Sequence, residues 1–304
     1  MRYRPLLWAG VIPCLLAGVT DLPAQAAPIR IVDDADREVV LLGSPRRIVS
    51  LVPVATEIIF DLGEGARVVG RSRYDDYPPG VLSVPDVGDA IRPSVETVLR
   101  RKPDLVILVG GSDNASGVRE MQRLDVPFIV VRFNTLDDLR SNVRRLGRIL
   151  GREEAAEELW GEVADDLQAV REAVAGLPRP SVYYDVGYPP AFTIGSGSYL
   201  DELISIAGGR NVFGDLPAPS PRVSLEAIIA RDPVLIIYPV GALDSARSVG
   251  PGERPGWSNL RAVRDSAVVT VPSAVVHRLG PRVGMAARLL AVAIHPELSG
   301  ELAP

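Results

Sequence analysis

Two glutamates occupy equivalent places in a repeated segment of this 304-residue chain. The segments are Ser94–Ile107 and Ser224–Ile237, and each indicates a serine-capped helix, a break marked by proline and a buried strand. Glu96 and Glu226 fall in the first helical turn, where a carboxylate complements the helix dipole by roughly 0.3–1 kcal/mol. Their recurrence would also present two acids to a two-fold symmetric basic partner. Spacing alone leaves both roles open, and the repeat predicts two pseudo-equivalent lobes.

Aromatic and acidic side chains collect in two loops that follow predicted strands. They are Tyr74, Asp75, Asp76 and Tyr77 in the first loop, which Pro78-Pro79 stiffens, and Tyr188 and Phe192 in the second. Parallel α/β folds bind ligands at the carboxyl ends of their strands, and tyrosines on rigid turns are common recognition residues. We therefore expect a ligand site between these loops. A solvent-covered tyrosine in the first loop and a core Phe192 are the alternatives.

Residues that could do catalysis are not arranged for it. Gly195–Tyr199 lacks the Gly-x-Ser-x-Gly spacing of a nucleophile elbow, and no phosphate-binding loop is present. A secreted α/β hydrolase using Asp75, Asp76 or His277 remains an alternative, but no base is paired with a nucleophile. We expect a binding protein with no catalytic residues.

Metal chemistry is also poorly supported by the residue types. Cys14 is the only cysteine, and the histidines are His277 and His295. Neither histidine has the helical spacing to another ligand that a bare metal ion needs, so no metal site is expected. We expect His277 in a loop beside the ligand site and His295 as a solvated residue at the end of the last helix.

Charge and the first residues bear on partners and location. The 33 Lys and Arg against 38 Asp and Glu give a net charge of -5, which argues against nucleic-acid binding. Arg2 and Arg4 precede the apolar stretch Leu6–Val19, and the small residues of a cleavage site follow, so residues 1–26 are predicted to be a cleaved signal peptide. That stretch is too short for a membrane-spanning helix. Pro13 before Cys14 disfavours a lipid anchor.

Short β-branched runs alternate with amphipathic stretches, a pattern typical of parallel sheets covered by helices. The predicted strands are Arg47–Val52, Ala66–Gly70, Leu105–Val109, Phe128–Val131, Ser181–Val186, Leu235–Tyr238 and Ala267–Val271. The predicted helices are Ala55–Leu62, Val95–Arg100, Val118–Leu124, Tyr199–Ala207, Leu225–Ala230 and Arg282–Ala293. The sequence thus predicts an α/β fold with parallel sheets.

A helix-forming stretch without internal proline separates the two sets of elements. It predicts a helix that begins near Leu136, breaks near Gly151 and continues from Glu153 to Val174. We interpret it as a stiff connection between an N-terminal lobe, residues 27–150, and a C-terminal lobe, residues 179–304, with residues 151–178 as the connecting helix. The alternative is a crossover helix within one sheet.

Several spaced motifs resemble the helical-backbone periplasmic binding proteins of ABC importers, and among them the cobalamin-binding branch. They include Arg47–Pro53, Ala55–Ile58, Tyr74–Pro79, Pro85–Gly88, Tyr188–Pro190, Ala207–Phe213, Pro221–Glu226 and Arg278–Arg282. The resemblance implies two Rossmann-like lobes joined by one long α-helix, a ligand wedged between them and a monomer without a resident cofactor. It also implies that Glu96 and Glu226 dock into arginine pockets of a dimeric permease, which works with its ATPase subunits.

The resemblance further implies a macrocyclic ligand. Tyr74 matches a ring-contacting tyrosine of the family and Arg278 a cleft arginine, whereas Val109 and Ser220 stand where cobalamin receptors often carry tryptophans. The expected ligand is cobalamin or a related corrinoid, but fewer rings give less contact area, which points to a precursor, an incomplete corrinoid or another macrocycle. Haem, with Tyr74 or Tyr77 as an iron ligand, and a ferric siderophore are the alternatives.

Overall fold

The structure, a computed structural model, describes residues 27–89, 94–110, 115–241 and 249–302. The predicted signal peptide, residues 1–26 with Cys14, lies outside this range. Within the described residues, no helix is both long and apolar enough to cross a membrane.

The first half of the chain forms a parallel sheet preceded by a small antiparallel hairpin. The hairpin pairs β1 (Ile29–Val32) with β2 (Glu38–Leu41). The sheet contains β3 (Ile48–Ser50), β4 (Val68–Arg71), β5 (Leu105–Val109) and β6 (Phe128–Val131) in the order β4-β3-β5-β6. All of its pairings are parallel, and its strands are buried, as expected for a sheet covered on both faces.

The second half builds another parallel sheet with the same strand order. It contains β7 (Ser181–Tyr184), β8 (Arg210–Asn211), β9 (Leu235–Val240) and β10 (Val268–Pro272) in the order β8-β7-β9-β10. In both sheets the first strand lies between the second and the third, and the fourth lies at the edge beside the third. This shared topology confirms the prediction of two like α/β lobes.

The helices follow the predicted pattern closely. The first half contributes α1 (Pro53–Asp61), α2 (Val95–Arg100) and α3 (Ala115–Arg123), and α4 (Leu136–Leu150) and α5 (Glu153–Ala173) follow. The second half contributes α6 (Tyr199–Ile206), α7 (Leu225–Arg231), α8 (Arg261–Arg264), α9 (Ser273–Val276) and α10 (Val283–Ile294).

The long connection breaks where the sequence indicates. Thr135 begins α4 with a capping box in which its hydroxyl accepts a hydrogen bond from the backbone N–H of Asp138. Gly151 ends α4 in the left-handed conformation at φ 69°, which glycine adopts without strain. The 21-residue α5 then starts at Glu153 and buries Val163, Leu167 and Val170 along one face. This is the long helix between the two sheets.

One apolar core runs through both halves of the chain. It joins side chains from the first sheet, such as Ile48 and Ile107, with side chains from the second, such as Val182 and Ile237, through the buried faces of α4, α5 and α10. Separate clusters cover the outer faces of the two sheets. Since close-packed interiors resist deformation, this shared core favours a fixed arrangement of the two lobes.

The repeated segments adopt the same structure. The seven positions from Ser94 and the seven from Ser224 alternate between exposed and buried in an identical pattern. Lys102 at φ 48° and Asp232 at φ 40° both take the left-handed conformation directly before a proline. The predicted cap at Ser224 is present, because its hydroxyl accepts a hydrogen bond from Ala227 N at 3.2 Å. Ser94 occupies the predicted N-cap position of α2, but its side chain makes no capping hydrogen bond there.

The reason for the missing cap is a competing partner. The Ser94 hydroxyl lies 2.8 Å from the hydroxyl of Thr97 and makes no hydrogen bond to the first backbone N–H groups of α2. The equivalent residue of the second segment is Ala227, which offers no side-chain partner. The backbone of the two segments is thus repeated, while this capping contact is not.

Candidate functional site

A pocket of about 240 Å³ lies between the two halves of the chain. Phe133 and Asn134, which follow β6, line it from the first half, and Val186, Ser220 and His277 line it from the second. Val186 and His277 come shortly after β7 and β10, so the pocket draws on the carboxyl ends of strands from both sheets, the usual ligand position in parallel α/β folds.

Hydrogen bonds join the halves beside this pocket. Tyr199 N, at the start of α6, donates to the carbonyl oxygen of Asn134 at 2.6 Å. Leu136 N, at the start of α4, donates to Glu202 Oε1 at 3.1 Å. The first turns of α4 and α6 are therefore held together, which fixes the residues that line the pocket.

The pocket combines apolar walls with a few polar groups. Phe133, Ile194 and Leu200 supply apolar surface. The Tyr199 hydroxyl donates to Val276 O at 2.9 Å, and burial raises the pKa of Tyr199 above its usual range, against the opposing effect of the Arg278 charge. The phenol is therefore neutral at physiological pH. Such a lining suits an aromatic or apolar portion of a ligand.

The two histidines differ from each other in setting. His277 lines the pocket, as expected for a residue beside the ligand site, and its ring centre lies 5.9 Å from that of Tyr184. His295 is only 4 % exposed, so the prediction of a solvated residue is wrong. The His295 ring, at the end of α10, lies close to Gly208. A Cβ added to Gly208 would lie 2.7 Å from His295 Nε2.

A cluster of arginines and carboxylates bridges the two halves. Glu57 on α1 is fully buried, and its Oε1 accepts hydrogen bonds at 3.0 Å from both Arg278 Nη1 and Arg282 Nη2. Arg282 Nε adds a bond of 3.2 Å to Glu57 Oε2. Arg278 Nη1 also donates to Asp76, which is exposed. The cluster contains two positive and two negative groups, so its charges balance.

The loop after β4 covers this cluster with tyrosines. The Tyr77 ring lies under the Arg282 guanidinium, with 3.8 Å between the guanidinium carbon and the ring centre. The Tyr74 carbonyl accepts a bond of 3.4 Å from Arg278 Nη2, while 54 % of Tyr74 is exposed. Burial lowers the pKa of Arg278, but its hydrogen bonds to Asp76 and Glu57 outweigh burial and raise that pKa overall. Arg278 therefore stays charged.

Asp75 is a buried carboxyl beneath the same loop. Burial raises the pKa of Asp75 to about 7, although hydrogen bonds from the Thr56 hydroxyl and from Ser72 N favour the ionised form. Both bonds reach Oδ2, and Oδ1 has no hydrogen-bond partner among the residues that the structure describes. The raised pKa of Asp75 therefore belongs to a buried carboxyl within the loop after β4.

The structure brings together some of the predicted ligand residues and separates others. Tyr74, Asp76, Tyr77 and Arg278 meet in the interlobe cluster, and Ser220 lines the pocket. Val109 is half-buried at the end of β5 and packs against the main core. Phe192 is partly exposed and forms β-bridges with Gly187 and Arg222.

Tyr188 points its ring into the second lobe. The ring packs edge-on against Trp257 at 5.9 Å between centres, and the guanidinium of Arg254 lies 4.7 Å from it. Arg254 is itself buried and pairs with Asp185 at 2.6 Å. Packing against Trp257 and Arg254 explains the position of the Tyr188 ring without a ligand. The ligand contact predicted for Tyr188 stays a prediction.

Sequence reasoning missed Glu57, Arg282, Asn134 and Tyr199. Glu57 carried a signal, because a carboxylate in the middle of the apolar helix Pro53–Asp61 must find a partner when it is buried. No comparable signal identified its partner, since Arg278 lies 221 residues further along the chain.

The two glutamates of the repeat are exposed on their lobes. The side chain of Glu96 is 82 % exposed and lies 3.6 Å from Arg100, one turn further along α2. The pKa of Glu226 is lowered by a hydrogen bond from its own backbone N–H and by the Ser224 hydroxyl. Both acids are free to meet a partner, while their docking role stays a prediction. Within the residues that the structure describes, no group of three or more histidine, cysteine or acidic side chains could hold a metal ion.

Comparison with known proteins adds independent information. The family described as periplasmic binding protein matches residues 48–275, more than half of the chain. An uncharacterized ABC transporter substrate-binding lipoprotein of Bacillus subtilis is 29 % identical and covers 98 % of this chain and 99 % of its own. A vitamin B12-binding protein of Pectobacterium carotovorum is 29 % identical over 80 % of this chain and 86 % of its own.

A solved structure has a similar backbone. The periplasmic haem-binding protein of Roseiflexus sp. RS-1, in its apo form, has a TM-score of 0.72 and 28 % identity, covering 83 % of this chain and 98 % of its own. The architecture built from two like-ordered parallel sheets is therefore shared with solute-binding proteins of different ligands.

Proposed function

We propose a ligand class and a transport role for this chain, which belongs to the periplasmic binding protein family. Proteins of this kind bind a solute for an ABC transporter and do not act as enzymes. The proposal is that the chain captures a corrinoid, such as cobalamin, in the cleft between its lobes and delivers it to an ABC importer.

The observation that carries the proposal is the meeting of Tyr74, Tyr77 and Arg278 beside an apolar pocket that both halves line. Tyrosine rings give contact area to a flat macrocycle, and a charged guanidinium orients amide, carboxylate or phosphate groups on its edge. The vitamin B12-binding relative supports this choice of ligand.

The size of the pocket specifies how such a ligand would lie. A volume of about 240 Å³ is below the 300–1,000 Å³ typical of pockets that bury a drug-sized ligand. A corrin ring would therefore lie outside the pocket, against Tyr74 and Tyr77 in the cleft, with one substituent in the pocket lined by Phe133 and His277.

Haem is the second candidate, because a haem-binding protein shares the fold at 28 % identity. Tyr74 is exposed in the loop beside the cleft and offers a phenol oxygen to an iron atom. Haem binding would give a tyrosinate-type visible spectrum. A ferric siderophore is the third candidate ligand.

The partner in this proposal is the dimeric permease of an ABC importer with its ATPase subunits. Glu96 and Glu226 lie on repeated helices with the same burial pattern and would meet basic pockets on the two permease subunits. The binding protein would act as a monomer. Residues 1–26 would direct export to the periplasm and then be removed.

The test is direct binding to the purified apo-protein. Cyanocobalamin, dicyanocobinamide, haem and a ferric hydroxamate siderophore are titrated in a calorimeter, and the visible spectra are recorded. Submicromolar binding of a corrinoid with no haem binding is the expected result. Haem binding with corrinoids ignored would replace the proposal by its alternative.

A further inference from the structure

We infer that Glu57 is a positioning residue that fixes Arg278 and Arg282 in the cleft and sets the separation of the two lobes there. In relation to ligand capture this rests on the proposed function, but the inference about lobe separation stands on the contacts alone. The family assignment does not specify a role for this carboxylate.

Glu57 is buried and depends on partners within the fold. Glu57 has no exposed surface, and the only partners its carboxylate has in the described residues are the two arginines from the other half of the chain. A buried carboxylate without such partners is strongly disfavoured. The N-terminal lobe therefore requires the segment that carries Arg278 and Arg282 to stay in place.

The segment between Arg278 and Arg282 packs closely against α1. A Cβ added to Gly280, between the two arginines, would lie 3.3 Å from Glu57 Oε2 and 3.6 Å from Val54 Cγ1. The first distance is tighter than most Cβ contacts and the second is an ordinary contact, so a side chain at position 280 would press on the end of the Glu57 carboxylate. Glycine at this position leaves room for the carboxylate beside both arginines.

The two arginines use their hydrogen-bond donors differently. Arg282 devotes two hydrogen bonds to Glu57 and stacks on Tyr77, whereas Arg278 divides its donors among Glu57, the exposed Asp76 and the Tyr74 carbonyl. The contacts of Arg278 on the solvent side are exchangeable, because Asp76 can return to water at little cost. Glu57 would hold Arg278 while its outer donors turn to an anionic or amide group of a ligand.

A matched control exists within the chain. Glu64 is also a buried glutamate held by two arginines, Arg67 and Arg152, each at 2.5 Å. Those arginines lie at the edge of the N-terminal lobe and at the start of α5, so Glu64 does not join the two sheets. Substituting either glutamate by glutamine removes a buried charge from two arginines, but only Glu57→Gln loosens the cleft.

The experiment measures lobe separation and binding together. Cys14 is the only cysteine and is lost with the predicted signal peptide, residues 1–26, so Gln122→Cys on α3 and Ala230→Cys on α7, both at exposed positions, provide the only sites for spin labels. Pulsed electron paramagnetic resonance gives the distance distribution between the labels in the unliganded protein. Calorimetry with cyanocobalamin gives the affinity of the unlabelled variants.

We expect Glu57→Gln to broaden the distance distribution and to weaken cyanocobalamin binding at least tenfold. Glu64→Gln should leave both measurements unchanged, even if its melting temperature falls as far as that of Glu57→Gln. An unchanged distribution in Glu57→Gln would overturn the inference.

The resonance measurement needs no ligand, so it decides the inference even if the wild-type chain binds no corrinoid, a result that would count against the proposed function alone. If Glu57→Gln does not fold, Arg282→Gln takes its place. This variant removes two of the same hydrogen bonds from the other side, and the same outcomes apply.

Discussion

The guanidinium of Arg282 lies 3.8 Å from the centre of the Tyr77 ring, so a cation of the C-terminal lobe stacks on an aromatic ring of the N-terminal lobe. Arg282 also bonds to the buried Glu57. One arginine thus connects the ligand-side loop, α1 and the start of α10. Loop, helix and cleft arginines form a single unit at the point where a ligand would enter.

The stacking contact predicts the effect of substituting Tyr77. Tyr77→Ala removes the ring, and since a cation–π contact is worth about 0.5–2 kcal/mol, ligand affinity should fall roughly twofold to thirtyfold. Tyr77→Phe keeps the ring and should retain most of the affinity. Calorimetric titration with cyanocobalamin measures both variants. Equal losses in the two would show that the hydroxyl, and not the stacked ring, matters.

Asp75 predicts a pH dependence of stability. Its pKa is about 7 in the fold and about 3.8 in an unfolded chain, so between these values the folded state keeps a proton that the unfolded state has lost. The free energy of unfolding should therefore fall as pH rises from 4 to 7. With 1.36 kcal/mol for each pKa unit, the loss is up to about 4 kcal/mol.

Asp75→Asn isolates this effect, because the amide is neutral at every pH. Its unfolding free energy, from urea denaturation at pH 5 and pH 8, should change less than that of the wild-type protein. Asp61, whose pKa burial raises to about 6, contributes with the same sign in both proteins and cancels in the comparison. Asp76→Asn, the exposed neighbour, is the control. A wild-type slope in Asp75→Asn would refute the assignment.

Much of the fold could be predicted from local patterns. The β-branched run Phe128–Val131 and the helix Val95–Arg100 have the predicted bounds, and Gly151 breaks the long connection where expected. The hairpin β1–β2 and the two-residue β8 were missed, because their strands are mostly exposed or half-buried and do not form a continuous buried run. Continuous buried runs and clear helix ends carried the prediction.

The site could be predicted only in part. Tyr74, Tyr77 and Arg278 came from motifs, but the bonds of Glu57 to Arg278 and Arg282 link residues 221 and 225 positions apart. Tyr188 was expected at the cleft because it follows a strand, yet its ring packs on Trp257. Strand order places a loop at an edge, and only packing decides which way each side chain turns.

Replacing Ser220 by tryptophan is expected to raise the affinity for cyanocobalamin. It lines the pocket at the cleft and stands where the resemblance to cobalamin receptors implies a tryptophan. Ser220→Trp adds a large ring to the rim and should tighten cyanocobalamin binding about tenfold by increasing apolar contact. Ser220→Ala should leave the affinity unchanged. Weaker binding by the tryptophan variant would show that the ligand does not lie along this rim.

The repeated glutamates predict a separation of binding from transport. The double variant Glu96→Lys and Glu226→Lys should abolish uptake by cells that carry the cognate permease, because two positive charges would then face its basic pockets and be repelled. Calorimetric affinity for the ligand should not change. Glu154→Lys, an exposed charge reversal on α5, is the control. Normal uptake by the double variant would rule out docking through these acids.

The central claim, that a corrinoid lies between the two lobes, is tested most directly by a crystal structure of the protein with cyanocobalamin bound. The measurement is the set of distances between corrin atoms and side chains of each half. Corrin atoms should lie within 4 Å of Tyr74 or Tyr77 on one side and of Ser220 or Arg278 on the other. A corrinoid held by one half alone, with the Glu57 cluster out of reach, would contradict it.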